Sequence, residues 1–203
     1  MKYYLLSGPL KEGGFSDIIK EYLKNDLKNV KKIVLIPTRK ENYLKNDEYK
    51  NRISRDINEI KTIHNIILLD NRNISNIEEI FKDVDLVYLL GGNPIDQLSL
   101  IKDYDIAKYI KNAPLVIGTS AGALNMCKYS YYSKDTDIDE SFFYEGLSLV
   151  DISVDVHFDI DNIEQISEFV KYNKTHKLYG IPDDGGIILD NNKVIFIGDI
   201  YQI

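Results

Sequence analysis

Short apolar runs alternate with amphipathic stretches along the N-terminal part of the chain. Five runs have the length and branched side chains of buried strands, at residues 2–6, 32–36, 65–69, 85–90 and 114–117. The stretches between them carry apolar side chains three and four positions apart, which indicates helices at residues 15–27, 47–63, 74–82 and 94–112. Strands that alternate with helices predict a mainly parallel sheet covered on both faces, with ligands bound beyond the carboxyl ends of its strands.

The pattern changes after residue 120. Residues 142–150 and 152–157 predict a strand pair, and residues 162–173 predict a helix. Three closing strands follow at 178–181, 186–190 and 193–198, with Asn191 and Asn192 as a hairpin turn between the last two. We find no repeat, linker or low-complexity tract. The sequence therefore predicts one domain over residues 1–203, with a three-layer, doubly wound α/β fold and antiparallel strands near its C-terminal end.

Composition and charge narrow the classes of protein. A chain of 203 residues can bury roughly 70% of its unfolded surface as one compact unit. The single cysteine, Cys127, excludes an intrachain disulfide, and the first residues are too poor in apolar side chains for a signal peptide. Both observations fit a reducing cytoplasm, so we expect a cytoplasmic protein. No run approaches the ~18 consecutive apolar residues of a membrane span. A net charge of −7 makes a nucleic-acid partner unexpected. Association into a homodimer stays open.

A serine lies in the pentapeptide Gly118-Thr119-Ser120-Ala121-Gly122, which follows an apolar run and precedes a helix-compatible stretch. This pattern predicts a nucleophile elbow, in which a strained strand-to-helix turn built from small residues pushes the serine hydroxyl into a cleft. The free N–H groups at the start of the following helix favour developing negative charge there. A serine that merely caps a helix would show the same pattern, so other motifs have to decide.

A second motif, Gly91-Gly92-Asn93-Pro94, comes where the strand at 85–90 ends. Asn93 suits an N-cap and Pro94 suits a first helical position, so the motif is also typical of an ordinary helix start. A helix start does not require the two glycines that precede Asn93. Beside an elbow, a glycine N–H here is a natural second donor of an oxyanion hole, next to the Ala121 N–H, and Asn93 is a candidate cleft residue.

A serine nucleophile needs a base, and three histidines are present. His157 ends the alternating strand at 152–157, and catalytic groups gather at strand ends. His64 and His176 lie in polar connections, where we expect solvated side chains. A purely structural role for His157 stays open.

The acid that would orient His157 has three candidates. Asp183 and Asp184 follow the strand at 178–181, and Asp135 is the outside candidate. The order nucleophile, histidine, acid differs from that of α/β-hydrolases and belongs to the class I glutamine amidotransferase-like fold. No clustered His, Cys and Asp spacing suggests a metal, and we expect no cofactor.

Four motifs in order resemble peptidase family S51, which contains the aspartyl dipeptidases and, more distantly, the cyanophycinases. They are Gly-Gly-Asn after a strand, Gly-Thr-Ser-Ala-Gly-Ala at the elbow, a His-Phe pair, and Ile-Pro-Asp near the C-terminus. The resemblance spans nearly the whole chain and implies a serine-type peptidase that hydrolyses short peptides, such as dipeptides. The roles that it implies are Ser120 as nucleophile, His157 as general base, Asp183 as the orienting acid, and the N–H groups of Gly92 and Ala121 as oxyanion donors.

Two departures from the family pattern concern the acid and the specificity. The family commonly has glutamate where Asp183 stands, and Asp135 also matches an aspartate of the dipeptidases, so it remains a rival third member or a cleft residue. In aspartyl dipeptidases an arginine after the His-Phe pair binds the acidic side chain of the substrate, whereas residues 158–203 contain no arginine. Lysines near that region are not planar bidentate partners, and Arg39 is the arginine nearest a strand end. We therefore expect no strong preference for an N-terminal aspartate.

Two other functional classes keep part of the pattern. A serine amidase or esterase acting on a non-peptide substrate would keep the triad, and a non-catalytic binding protein would keep the fold without turnover. Glutamine amidotransferase activity is disfavoured, because the only thiol, that of Cys127, lies beyond the elbow in a stretch that suits a buried helix.

Overall fold

The computed structural model describes residues 1–8, 13–134, 138–173, 177–191 and 193–202. Its strands are β1 (Lys2–Leu6), β2 (Lys32–Ile36), β3 (Asn65–Leu68), β4 (Leu86–Leu89), β5 (Leu115–Thr119), β6 (Tyr129–Tyr132), β7 (Phe142–Glu145), β8 (Ser153–Val156), β9 (Leu178–Ile181), β10 (Gly186–Asp190) and β11 (Lys193–Ile197). Its helices are α1 (Asp17–Asp26), α2 (Tyr43–Asn58), α3 (Ile77–Phe81), α4 (Pro94–Asp103), α5 (Ala107–Ile110), α6 (Ala121–Met126) and α7 (Ile163–Asn173), with a 3₁₀ turn, Ile74–Asn76, before α3.

The central sheet has seven strands in the order β11-β10-β1-β5-β4-β2-β3. Five neighbouring strands of this sheet run parallel to one another: β1, β5, β4, β2 and β3. β10 is antiparallel to β1 and β11 is antiparallel to β10, so a hairpin closes one edge. Asn191 occupies the turn of this hairpin with a φ of 53°, while Asn192 lies outside the described residues. The prediction of a mixed α/β fold with a mainly parallel sheet is confirmed.

Helices cover both faces of the sheet, because side chains of each strand alternate between the two faces. On one face, Tyr4 and Tyr88 belong to a buried cluster that α1 and α2 complete. On the other face, Leu5 and Val87 belong to a second buried cluster that receives side chains from α3 to α6. All residues of β4 and β5 are buried, which explains why these strands are continuous apolar runs rather than alternating ones.

The single helix predicted at residues 94–112 is wrong, since α4 ends at Asp103 and α5 begins at Ala107. Between them Asp105 has a φ of 51°, a left-handed conformation that an α-helix does not accommodate. The Ile106 N–H donates instead to the carbonyl oxygen of Ile101, at 2.9 Å. Both helices carry apolar side chains with the same spacing, so periodicity alone does not locate the break. The helix predicted at 47–63 is also shifted, to the bounds of α2.

The predicted pairing of residues 142–150 with residues 152–157 is wrong as well. β7 pairs antiparallel with β6, a strand that the sequence analysis does not predict, and β8 pairs parallel with β9. Beyond β7 the chain bonds to the end of α6, where the N–H of Leu147 donates to the carbonyl oxygen of Asn125 at 2.8 Å. The carbonyl groups at the end of α6 therefore compete with a neighbouring strand for the N–H groups that follow β7. The predicted closing group of three strands is therefore divided, with β9 beside β8 rather than beside β10.

No helix in the described ranges is long and apolar enough to cross a membrane. The assignment of the whole chain to one domain, the cytoplasmic location and the homodimer stay predictions.

Candidate active site

Ser120 stands at a strained turn between β5 and α6. Its φ of 53° and ψ of −117° lie outside the regions that a serine ordinarily adopts. Two backbone hydrogen bonds hold this conformation, since the Ser120 N–H donates to the carbonyl oxygen of Leu6 at 2.9 Å and the Leu124 N–H donates to the Ser120 carbonyl oxygen at 3.1 Å. Strain that the surrounding bonds impose on a cleft residue is typical of a nucleophile elbow.

Close backbone contacts explain the glycines around this serine. A Cβ atom at Gly122 would lie 2.2 Å from the carbonyl oxygen of Leu89, at the end of β4. A Cβ atom at Gly118 would lie 2.6 Å from the backbone of Gly122. Helix α6 therefore starts in contact with two neighbouring strands, and only glycine permits that approach.

His157 directly follows β8, and the end of that strand is anchored on both sides. The His157 N–H donates to the hydroxyl oxygen of Ser7 at 2.6 Å, and Ser7 is buried at the carboxyl end of β1. The Phe158 N–H donates to the carbonyl oxygen of Ile181, the last residue of β9, at 3.0 Å. Between these bonds His157 has a φ of 56°. This backbone conformation, unusual for histidine, lies beside the strained Ser120 in the same cleft.

The side chains of Ser120, His157 and Asp183 form a continuous chain of contacts. Ser120 Oγ lies 3.0 Å from His157 Nε2, and His157 Nδ1 lies 2.5 Å from Asp183 Oδ1. With Asp183 ionised, Nδ1–H donates to the carboxylate, which leaves Nε2 as an acceptor facing the hydroxyl. Such an arrangement can take the proton from a serine hydroxyl. The histidine and aspartate side chains are each 51% exposed, and a Cβ atom at Gly8 would lie 3.1 Å from the imidazole and 3.3 Å from the carboxylate.

The other candidate acids and histidines are not brought to Ser120 in the described part of the chain. Asp184 is exposed and lines a separate cavity with Phe158 and Asp199. His64 is exposed, as predicted. Asp135 and His176 lie outside the described residues.

Gly92, Asn93 and Ala121 lie beside the serine in different roles. Asn93 caps α4, because its Oδ1 accepts from the N–H groups of Ile95 at 2.9 Å and Asp96 at 3.1 Å. Ala121 is the first residue of α6, where N–H groups have no acceptor within the helix. Gly92 has a φ of 130°, and a Cβ atom there would lie 2.8 Å from the Thr38 side chain. Gly92 and Ala121 line one cavity together with Ser120.

Two cavities meet at Gly92, Ser120 and His157. The larger has a volume of about 520 Å³ and is lined mainly from α4, α6, β6 and α7. The smaller has a volume of about 200 Å³ and is lined from β1, α2 and β4. Since α6 and α2 cover opposite faces of the sheet, the cavities approach the serine from opposite sides. A substrate bound at Ser120 can thus extend in two directions.

Charged side chains differ between the two cavities. The larger one carries Glu164 and Glu168 against a single lysine, Lys134. Behind it, burial raises the pKa of Asp155 to about 7, with hydrogen bonds from Ser133 and Gln165 opposing the shift. The smaller cavity carries Arg52 and Asp56.

Burial raises the pKa of Asp56, and the positive charges of Arg55 and Arg52 oppose that shift. The described residues contain no group of three or more His, Cys, Asp or Glu side chains placed to hold a metal ion.

Arg52 is one of several charged residues at the site that the sequence analysis does not single out. It faces the smaller cavity from the middle of α2, on the same side as Tyr49, Ile53 and Asp56. These positions follow the spacing of three and four residues that marks the buried side of a helix. A charged residue within such a stripe is a signal for a buried polar site. Arg39, the arginine that the sequence places nearest a strand end, pairs with Asp96 at 2.5 Å in another cavity.

The fold and this serine site together define a serine-type hydrolase. The model of peptidase family S51 matches residues 4–197, so the chain belongs to that family and is a serine-type peptidase. The chain is 24% identical over 199 residues to "Peptidase E" of Nostoc sp. strain PCC 7120, covering 88% of this chain and 79% of that protein.

Two solved structures share the fold. A candidate peptidase E protein from Listeria monocytogenes EGD-e superposes with a TM-score of 0.66 at 20% identity, covering 100% of this chain and 98% of that one. A peptidase from an acI-B1 Actinobacterium superposes with a TM-score of 0.66 at 15% identity, covering 100% and 96% of the two chains.

Proposed function

We propose that this peptidase hydrolyses short peptides, dipeptides in particular, through a triad of Ser120, His157 and Asp183. The observation that carries the proposal is the chain of contacts from Ser120 Oγ through both ring nitrogens of His157 to the carboxylate of Asp183. The nucleophile of this chain stands at a strained elbow, where its hydroxyl faces two cavities. The curated relative named "Peptidase E" supports a peptide substrate.

The reaction is an acyl transfer to water in two steps. His157 Nε2 takes the Ser120 proton as Oγ attacks the peptide carbonyl carbon, and the N–H groups of Gly92 and Ala121 stabilise the oxyanion. The imidazolium then gives its proton to the leaving amine as the C–N bond breaks, which leaves an acyl-serine. Water attacks that ester with His157 again as the base, and the proton returns to Ser120 as the acid product leaves. Asp183 stabilises the imidazolium in both steps.

The finer fold assignment, class I glutamine amidotransferase-like, is part of the proposal. It is supported by the order of the three residues along the chain and by a nucleophile placed directly after a central parallel strand. Glutaminase chemistry is not proposed, because that activity would need a thiol at the elbow. Cys127 is fully buried, donates to the Ala123 carbonyl oxygen at 3.6 Å, and has its pKa raised to about 12 by burial.

A panel of dipeptides with varied N-terminal residues tests the proposal, with wild type compared to Ser120→Ala. We expect the variant to lose at least roughly 10³-fold in turnover while its melting temperature stays near that of wild type, because a cleft hydroxyl contributes to chemistry rather than to packing. Ser167→Ala, on the exposed side of α7, is the matched control and should remain fully active.

Unchanged turnover in folded Ser120→Ala would rule out the triad. Hydrolysis of esters but of no peptide in the panel would instead indicate a serine esterase, and binding without any turnover would indicate a binding protein.

A further inference from the structure

Arg52 differs from the other three arginines of the chain in its partners. Three of them contact carboxylates: Arg39 with Asp96 at 2.5 Å, Arg55 with Asp56 at 3.5 Å, and Arg72 with Asp47 at 2.6 Å. Arg52 has no carboxylate within salt-bridge distance among the residues that the structure describes. Its Nε atom is buried and has no hydrogen-bond partner among these described residues. Its guanidinium stacks over the ring of Tyr49, at 4.9 Å from the centroid.

The position of this unpaired cation suggests a ligand. Arg52 lines the smaller cavity, which also reaches Ser120 and His157 and whose walls include Phe15 and Ile53. A guanidinium without a partner against apolar walls is costly, because burial removes water that the protein does not replace. A carboxylate is the ligand that the planar donor fork of arginine fits best.

Among the described residues, Asp56 forms its salt bridge with Arg55 and not with Arg52. It lines the same cavity, but its closest cationic group is Arg55 Nε at 3.5 Å. Burial raises the pKa of Asp56, and the positive charges of Arg55 and Arg52 oppose that shift, so the single carboxylate is shared between two arginines. Arg52 therefore keeps donor groups for an anionic ligand on this side of the serine, while Glu164 and Glu168 outnumber Lys134 in the opposite cavity.

This polarity matches a zwitterionic dipeptide. An α-ammonium group is favoured in the larger cavity, and an α-carboxylate is favoured beside Arg52. The scissile carbonyl then lies between them, at Ser120. A volume of about 200 Å³ suits a single residue, so this orientation places the leaving amino acid in the smaller cavity.

We propose that the smaller cavity is a carboxylate subsite in which Arg52 binds a carboxylate of the substrate, in the first place the terminal carboxylate of the leaving residue. The inference rests on the proposed peptidase function. It makes Arg52 a determinant of specificity rather than of the chemical step, and it makes the free carboxyl terminus the feature by which the site selects dipeptides.

The test compares Ala-Leu with Ala-Leu amide, which lacks only the terminal charge. In wild type we expect kcat/KM for the free acid to exceed that for the amide by roughly 10- to 100-fold, mostly through KM. Arg52→Gln should lower the value for the free acid alone and bring the ratio close to 1. Arg52→Lys should fall between, because a point charge lacks the bidentate fork. Arg39→Gln, the same change of charge outside the cavity, should keep the wild-type ratio.

A second pair of substrates separates the two sources of a carboxylate. If Arg52 binds an acidic side chain, the ratio of kcat/KM for Asp-Leu amide to kcat/KM for Ala-Leu amide depends on Arg52 instead. If either ratio of kcat/KM changes in Arg52→Gln, the carboxylate subsite is supported and the source of the carboxylate is identified. Equal losses in Arg52→Gln on all three peptides, or no change in either ratio, would overturn it.

Binding to Ser120→Ala, measured by calorimetry, keeps this inference separate from the proposed function. If the wild-type protein hydrolyses none of these peptides, the proposed peptidase function is contradicted. The carboxylate subsite still stands in that case if Ser120→Ala binds Ala-Leu better than Ala-Leu amide. That preference should disappear in the double variant with Arg52→Gln. Equal binding of Ala-Leu, Ala-Leu amide and Asp-Leu amide, or no binding of any of them, would overturn the carboxylate subsite.

Discussion

Replacement of Asp183 by asparagine isolates the charge of this side chain from its hydrogen bond. Asparagine keeps an oxygen that can accept from His157 Nδ1–H, the contact that is 2.5 Å long in wild type. The tautomer with Nε2 facing Ser120 can therefore survive. What is lost is the negative charge that stabilises the imidazolium formed when Ser120 gives up its proton.

The exposure of the pair sets the expected magnitude. For a buried triad, replacing the carboxylate by an amide can cost about 10⁴ in turnover, a loss that includes stabilisation of the wrong histidine tautomer by the amide N–H₂. Here both side chains are 51% exposed, so water screens part of the interaction. We expect kcat to fall roughly 10²- to 10³-fold, which corresponds to about 2.7–4 kcal/mol of transition-state stabilisation.

The measurement is kcat on the dipeptide that wild type hydrolyses best, with melting curves to show that each variant is folded. Asp184→Asn is the matched control, because the adjacent carboxylate lines a different cavity and should contribute little. Asp183→Ala removes the acceptor as well and should be at least as inactive. If folded Asp183→Asn keeps nearly wild-type kcat, or if Asp184→Asn loses more, Asp183 does not stabilise the His157 imidazolium. A larger loss in Asp135→Asn would give that residue the role of third member.

Three further predictions follow from buried groups. Gly122→Ala should destabilise the protein by about 1–3 kcal/mol or more in urea unfolding, because its Cβ would meet the Leu89 carbonyl oxygen at 2.2 Å. Gly91→Ala, whose Cβ would meet nothing closer than 3.4 Å, should unfold nearly as wild type, and equal losses would contradict the contact argument. The contribution of Asp155 to stability should fall as pH rises from about 4 to 7, by up to about 1.4 kcal/mol per pH unit, because the buried carboxyl keeps a proton that the unfolded chain has released. Urea unfolding at about pH 5 and pH 8 should show this fall in wild type and a smaller one in Asp155→Asn; an identical pH dependence in both would exclude it. Iodoacetamide should leave the folded enzyme active and Cys127 unmodified, since the thiol is buried and its pKa is raised to about 12; rapid labelling without unfolding would contradict this.

The parts of the fold that follow from local pattern were predictable. The five parallel strands, the final hairpin and the elbow each have a signature within a few neighbouring residues, either continuous apolar runs or glycines at fixed spacing. The wrong predictions concern segments whose strand partners depend on contacts with distant parts of the chain. β6 and β7 pair with each other, and β8 with β9, because the carbonyl groups at the end of α6 take the backbone N–H groups of Leu147 and Leu149. Such competition between distant hydrogen-bond partners leaves no local pattern.

The candidate site shows the same division. The local pattern of residues predicts a serine at a strand-to-helix turn, with a histidine and aspartates at other strand ends, because each depends on short-range backbone requirements. The strand pattern does not distinguish Asp183 from Asp184, and in the folded structure Asp183 faces His157. Adjacent residues after a strand point in different directions, and the turn after Pro182 sets which one meets the imidazole. The cavity of Arg52 likewise exists only because α2 packs beside the ends of β1 and β4, which no spacing along the chain encodes.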